Sequence, residues 1–137
     1  MDRLVRAFVL LPGKEDAFQA FAKEVWRRRA ETEAFYRSYG IVRETWHLQE
    51  TAAGLVVICC TDIANVDAAA PAYAKAEAAF DKWFKDNVRD LFGVDPNTQP
   101  RGPESETVLD WQAPMGGTRG VERAASPDLG SAPRATR

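Results

Sequence analysis

The hydrophobic residues of this chain recur with two different periods, and the order of these periods constrains the fold more than any other feature. Residues 3–10 and 55–61 are apolar on both parities, as in strands with two covered faces. Residues 14–39 and 67–93 repeat apolar side chains every three or four positions, as in amphipathic helices. Residues 41–50 alternate polar and apolar side chains and predict another strand. The chain therefore interleaves strands with helices.

Turn residues separate these segments. Pro12 and Gly13 end the first strand, Gly40 supplies a left-handed stop after the first helix, and Gly54 closes a hairpin between the next two strands. After a proline-rich connection, residues 105–111 predict a last short strand. The predicted order is β-α-β-β-α-β.

This order predicts an α+β, ferredoxin-like fold. Right-handed crossovers place both helices on one face of a four-stranded antiparallel sheet. The other face would expose an apolar patch too large for a stable monomer. We expect a second copy of the chain to cover that face, giving a homodimer.

Length and composition favour one domain. The chain has 137 residues, 45% of them hydrophobic and 28% charged, which is typical of a globular protein. Residues 1–112 are predicted to form the domain. Residues 113–137 lack aromatic side chains and are rich in glycine, proline and alanine, so we predict a disordered C-terminal tail.

The charge balance argues against nucleic-acid and membrane partners. Eighteen basic and twenty acidic side chains give a formal charge of −2, so no strong positive field attracts polyanions. The apolar runs are too short to span a bilayer, and early charges do not fit a signal peptide, so we expect a cytoplasmic protein.

The sequence contains no pattern for a metal or cofactor. Cys59 and Cys60 are adjacent and point to opposite faces of a strand, which prevents a disulfide between them. His47 is the only histidine, and no glycine-rich phosphate-binding motif is present. We therefore expect neither a metal site nor a bound cofactor.

Three stretches of the chain resemble the dimeric α/β-barrel superfamily over about residues 3–111. They are Val5-Arg6-Ala7-Phe8-Val9-Leu10-Leu11-Pro12-Gly13-Lys14-Glu15, Val56-Val57-Ile58-Cys59-Cys60, and Trp83-Phe84 in a helix closing at Gly93-Val94-Asp95. The superfamily includes antibiotic-biosynthesis monooxygenases, muconolactone isomerase, polyketide cyclases and haem-handling enzymes. The chain is similar to an uncharacterised small branch related to the monooxygenase-like domains. The resemblance implies the dimeric barrel fold, and no single reaction.

Two residues are candidates for proton transfer. His47 is the only side chain here that ordinarily titrates near neutral pH, and it lies on the polar parity of the 41–50 strand. If that parity faces the helices, His47 lines a pocket; if it faces a partner sheet, His47 is interfacial. Tyr73, near the start of the second helix, can donate a proton to a ligand through its hydroxyl.

Four further residues are candidates for substrate binding. Arg6 and Arg43 lie on strands, where a guanidinium requires a carboxylate, a ligand anion or water, and Glu44 is a plausible cross-strand partner for Arg6. Trp46 and Trp83 offer flat surfaces for stacking on a ligand, although aromatic residues at this spacing also build cores and interfaces.

These features predict a small-molecule-binding protein. The resemblance implies a cofactor-independent monooxygenase, cyclase or isomerase that acts on a hydrophobic or aromatic substrate. The alternative is a non-catalytic dimeric binding or accessory protein whose barrel only buries apolar surface.

Overall fold

A computed structural model describes residues 1–115 of the chain. All of the regular elements lie in one unit, Met1–Ser105, and Glu106 begins a second unit. The strands are β1 (Asp2–Val9), β2 (Ile41–Thr51) and β3 (Gly54–Ile63). The helices are α1 (Glu15–Arg27), α2 (Arg29–Ser38), α3 (Val66–Lys75) and α4 (Ala79–Phe92).

The strands form an antiparallel sheet in the order β1-β3-β2. Its buried side chains belong to one parity of each strand, because successive side chains on a strand point to opposite faces. Phe8, Val57 and Cys59 on that parity pack with aromatic side chains from all four helices. The helix side chains in this core are Phe18, Phe21, Phe35, Tyr73, Phe80 and Phe84. The α+β class and the order of the first five predicted elements agree with the sequence analysis.

The predicted fourth strand is not part of the sheet in the described residues. Residues 105–111 are irregular, and Val108, Leu109 and Trp111 are exposed. At the free edge of β1, the Ser105 hydroxyl donates a hydrogen bond to the Val5 carbonyl. A side-chain hydrogen bond at this point takes the place of a backbone ladder, so the sheet has three strands.

Each of the two predicted helices is divided into two. The first divides at Arg28, where the backbone leaves helical geometry with ψ of 38°. The Thr32 hydroxyl donates to the Val25 carbonyl at 2.9 Å, across the interruption, and lies 3.2 Å from the Arg28 carbonyl, which also accepts from the Thr32 amide. The hydrophobic period continues across the interruption, so it did not reveal the division.

The second predicted helix divides between Lys75 and Ala79. Asp81 accepts a hydrogen bond from the Ala78 amide at 3.1 Å, which caps the start of α4. The Lys85 ammonium donates to the carbonyls of Ala74 at 3.2 Å and Ala76 at 2.8 Å. These two side chains satisfy the backbone groups at the interruption and stabilise the change of direction.

Other turn predictions are confirmed. Thr51 pairs with Gly54 at the tip of the β2–β3 hairpin. Gly93 ends α4 in the left-handed conformation with φ of +70°, and its amide donates to the Arg89 carbonyl.

The sheet face turned away from the helices carries an apolar centre. We call it the open face, and β3 contributes Val56, Ile58 and Cys60 to its middle column. The flanking columns are Val5, Ala7 and Val9 from β1, and Thr45, His47 and Gln49 from β2. Val5 is 43% exposed and Val9 58% exposed, so the described chain does not cover this face by itself.

Two further predictions concern membrane-spanning helices and the C-terminal tail. No helix in residues 1–115 combines the length and apolarity needed to cross a membrane. The sequence predicts a disordered tail over residues 113–137, and residues 116–137 of it lie outside the described residues.

Substitution of two glycines in left-handed geometry tests how closely the connection after α4 approaches the sheet. Gly102 and Gly13 have φ of +68° and +77°. A Cβ at residue 102 would lie 2.8 Å from Phe8, whereas one at residue 13 meets nothing within 4 Å. We expect Gly102→Ala to lower the free energy of unfolding by roughly 2–4 kcal/mol and Gly13→Ala by about 1 kcal/mol. Urea unfolding measures both values, and equal losses would contradict the close approach of residue 102 to Phe8.

Candidate functional site

A cavity of about 90 Å³ lies between the sheet and the helices. Each water needs roughly 15 Å³ on this measure, so the cavity has room for a small molecule. Most of its walls are aromatic or aliphatic, and residues 94–102 form part of its rim. Its aromatic wall residues are Phe8, Phe18, Phe21, Trp46, Phe84 and Phe92. Its polar side chains come from the sheet, from two tyrosines, and from Gln99 and Arg101 on the connection after α4.

The polar side chains of the sheet form one connected group, which we call the polar cluster: Arg6, Glu44 and Thr61. They come from β1, β2 and β3 on the parity that faces the helices. The Arg6 guanidinium donates to the Thr61 hydroxyl at 2.9 Å, and that hydroxyl donates to the Glu44 carboxylate at 2.8 Å. Arg6 and Glu44 themselves lie 3.8 Å apart. Thr61, on the central strand, therefore links the two charges.

The Glu44 carboxylate is buried and well provided with donors. Its side chain is 7% exposed. Besides the bond from Thr61, it accepts hydrogen bonds from the Tyr36 hydroxyl at 2.6 Å and the Trp46 indole at 2.8 Å. Burial, followed by the nearby Glu44, raises the pKa of Tyr36 well above its usual value. These donors stabilise the charged carboxylate and fix its position beside Arg6.

The Arg6 guanidinium has more donors than the described protein uses. It also donates to the Arg101 carbonyl at 3.1 Å and the Cys59 sulfur at 3.2 Å. Its Nε atom is buried and finds no acceptor within residues 1–115. A buried donor without a partner costs about 1–3 kcal/mol of stability, so such a group requires an explanation other than stability.

Tyr39 and Tyr73 add two hydroxyls to the cavity. Their rings touch in an edge-to-face arrangement with centroids 5.0 Å apart, and both line the cavity. Neither hydroxyl forms a hydrogen bond with any part of the chain that the structure describes. Burial raises the pKa of both residues, Glu44 raises them further, and Arg6 lowers them in part. Both tyrosines are therefore protonated at neutral pH and can donate to a ligand.

Three of the predicted site residues meet at this cavity. Arg6, Trp46 and Tyr73 line it. The expected cross-strand ion pair between Arg6 and Glu44 is present, and Trp46 stacks on Phe21 with ring centroids 5.5 Å apart.

The other three predicted site residues lie elsewhere. Trp83 packs between Phe21 and the Arg28 guanidinium, which is 4.8 Å from its ring, so it serves the packing of the helices. His47 belongs to the open face, where its ring nitrogen is 3.0 Å from the Thr45 hydroxyl. Arg43 is exposed and in register with Asp62. The polar parity of β2 therefore faces away from the helices, and the structure does not bring His47 or Arg43 to the cavity.

Sequence reasoning did not identify Thr61, Tyr36 or Tyr39 as parts of the site and treated Glu44 only as an ion-pair partner. One signal was available: Glu44 shares its parity with Trp46 and Leu48, so a carboxylate occurs on the apolar side of β2. A charged residue there must be paired if it is buried. The tyrosines gave no such signal, because their spacing equally fits a helix core.

The cavity and its surroundings contain no evident metal site. No group of three or more histidine, cysteine, aspartate or glutamate side chains within residues 1–115 could hold a metal ion. Cys59 is a poor ligand or nucleophile, since burial, and then Glu44, raise its pKa to about 12.

Comparisons with known proteins bear on the fold. No protein-family model matches the chain, and no curated protein matches it in sequence. The structure is similar to that of L-rhamnose mutarotase from Formosa agariphila, with a TM-score of 0.57 and 16% identity, covering 82% of this chain and 100% of the other. At this identity the likeness concerns the fold alone. It agrees with the predicted α+β class, while membership of the dimeric α/β-barrel superfamily and of any branch of it stays a prediction.

The link between the two charges can be tested by removing one hydroxyl. We expect Thr61→Val to lower the free energy of unfolding by about 1–3 kcal/mol, because Arg6 and Glu44 each lose a partner in a buried site. Thr45→Val on the open face is the matched control, with an expected loss below about 1 kcal/mol. Urea unfolding compares the two, and equal effects would show that Thr61 does not connect the charges.

Proposed function

We propose that this protein is a homodimeric small-molecule isomerase that binds a compact, single-ring molecule in the cavity between sheet and helices. The observation that carries the proposal is the polar cluster with its buried ion pair, together with the hydroxyls of Tyr39 and Tyr73, in a cavity whose other walls are mostly apolar. A cavity that only filled space would have no need of charges that are costly to bury.

The form of the cavity favours a ring with one apolar face and one edge that carries oxygen atoms. The aromatic walls can pack against the face of such a ring, as small-molecule sites commonly do. The hydroxyls of Tyr39 and Tyr73 can donate to its oxygen atoms. The ligand expected from the sequence was hydrophobic or aromatic, and the ligand proposed here differs from it in carrying oxygen atoms along one edge.

Isomerisation suits these residues because it needs only proton transfer. In a reducing sugar, Tyr73 would give its proton to the ring oxygen as the ring carbon–oxygen bond breaks. The tyrosinate would regain a proton from the anomeric hydroxyl, and closure on the other face would give the other anomer. Burial and then Glu44 raise the pKa of Tyr73, and Arg6 offsets part of that rise, so Tyr73 would act first as the proton donor and hold the tyrosinate only transiently.

The name of the structurally similar protein, a mutarotase, describes a reaction of this type. The monooxygenase and cyclase chemistries that the resemblance also implied would use the same cavity. No feature of the described residues favours them over isomerisation.

The reaction can be measured directly by NMR exchange spectroscopy on reducing sugars, with L-rhamnose as the first substrate. We expect the protein to accelerate the exchange between anomers, and Tyr73→Phe to slow it by about 100-fold because the proton donor is lost. Trp26→Phe, at a surface position away from the cavity, should match the unaltered protein. Acceleration that survives Tyr73→Phe would remove the mechanism. Binding of the sugar without acceleration would favour the non-catalytic alternative.

The homodimer rests on the open face. Its apolar centre, formed by Val56, Ile58 and Cys60 with the adjoining side chains of β1, is the kind of surface that proteins cover by association. A second copy offers an identical surface, and a two-fold axis allows the two sheets to pack face to face. His47 would then lie at the interface, which is where the sequence analysis expected it if the polar parity of the 41–50 strand faces a partner sheet.

A charge at the centre of the open face tests this assembly. We expect Ile58→Arg to convert the dimer to a monomer, because it would bury unpaired charge against its own symmetry copy. Val42→Arg is the control, since Val42 is 62% exposed but lies outside the open face. Light scattering coupled to size-exclusion chromatography measures the mass. An unaltered protein that is monomeric at micromolar concentration would contradict the proposal.

A further inference from the structure

Each of the two arginines that line the cavity is paired with at least one carboxylate. Within residues 1–115 the charged side chains of the lining are Arg6, Glu44 and Arg101. The Arg101 guanidinium lies 2.6 Å from Asp67 and 3.4 Å from Glu104, which balance its charge. Arg6 is balanced by Glu44 at 3.8 Å. The polar wall therefore presents hydrogen-bond donors but no unpaired positive charge to a ligand.

We infer that Glu44 determines the charge specificity of the cavity: by neutralising Arg6, it makes the site accept uncharged, oxygen-bearing rings and reject carboxylates of the same shape. This inference rests on the proposed function in taking the cavity as the ligand site. It does not depend on the isomerase reaction.

The distances within the polar cluster carry the argument. An anion placed beside Arg6 would also lie beside Glu44, because the two charged groups are only 3.8 Å apart. Attraction to one and repulsion from the other would largely cancel, while the anion would still lose its hydration on entering the cavity. An uncharged hydroxyl or carbonyl loses much less hydration, and it can accept hydrogen bonds from Tyr39 and Tyr73. The cavity is therefore selective for uncharged ligands although it contains an arginine.

The side chain of Glu44 can be changed in charge alone. Tyr36 and Trp46 donate to its Oε1 atom, and Thr61 donates to Oε2. In Glu44→Gln, the amide oxygen can still accept from Tyr36 and Trp46. The amide nitrogen can donate to the Thr61 hydroxyl, which rotates to accept. The substitution thus keeps the shape of the cluster and leaves the charge of Arg6 uncompensated.

Benzyl alcohol and benzoate are a suitable pair of probes, since they share one ring and differ in charge. At neutral pH we expect the unaltered protein to bind benzyl alcohol at least 10-fold more tightly than benzoate in NMR titrations. Glu44→Gln should strengthen benzoate binding by roughly 10-fold and change benzyl alcohol binding by less than about 3-fold. Adding Arg6→Gln to that variant removes the remaining charge and should abolish the gain for benzoate.

The outcomes separate this inference from the proposed function. Equal binding of both probes to the unaltered protein, or no gain for benzoate in Glu44→Gln, would overturn the charge specificity and leave the cavity as the ligand site. Failure of both probes to bind either protein would overturn the ligand site and the inference together. If Glu44→Gln does not unfold cooperatively, Arg6→Gln alone gives the same test. It should weaken benzoate more than benzyl alcohol, and equal weakening would overturn the inference.

Discussion

The buried ion pair between Arg6 and Glu44 is the interaction on which the rest of the site depends. Each charge loses its hydration in the core, and the pair is tolerated because Thr61, Tyr36 and Trp46 supply the hydrogen bonds that water would otherwise provide. The pair also makes strand register critical. A slip of one residue would turn Arg6 or Glu44 to the open face and put a neighbouring side chain in its place. The same register that buries the aromatic core therefore assembles the polar cluster.

The two faces of the sheet carry different sets of side chains. The face toward the helices encloses the cavity with its polar cluster, and the open face presents a mainly aliphatic surface suited to a second copy. Because side chains alternate along a strand, neighbouring residues belong to different faces of the sheet. Arg6 belongs to the cavity, whereas Val5 and Ala7 belong to the open face. A substitution on one face can thus alter assembly without touching the ligand site, which makes the two parts of the proposed function separable by experiment.

The sequence predicted β1, β2, β3 and the helical segments because each buries a stripe of side chains with a clear period, but it also predicted a strand at residues 105–111, which are irregular in the structure. It predicted two helices where the structure has four. The hydrophobic stripe of each predicted helix continues through its interruption, at Arg28 in the first and at residues 76–78 in the second. Those interruptions depend on hydrogen bonds from Thr32 and Lys85 to carbonyls, which periodicity does not record. For the site, Arg6, Trp46 and Tyr73 were identified as polar or aromatic residues on buried elements. His47 and Arg43 do not line the cavity, because the sequence showed their chemical capability but not which face of β2 points to the helices. Tyr39 reaches the cavity only through the packing of α2 against the sheet, a long-range contact that no local pattern reveals.

The central claim is that the cavity beside the polar cluster is the ligand site, and intermolecular nuclear Overhauser effects test it most directly. The measurement uses the unaltered protein with an excess of a weakly bound single-ring ligand and assigned side-chain protons. The account predicts contacts from the ligand ring to the aromatic protons of Tyr73 and Trp46. Contacts confined to Ile58 and His47 would place the ligand on the open face and contradict the account.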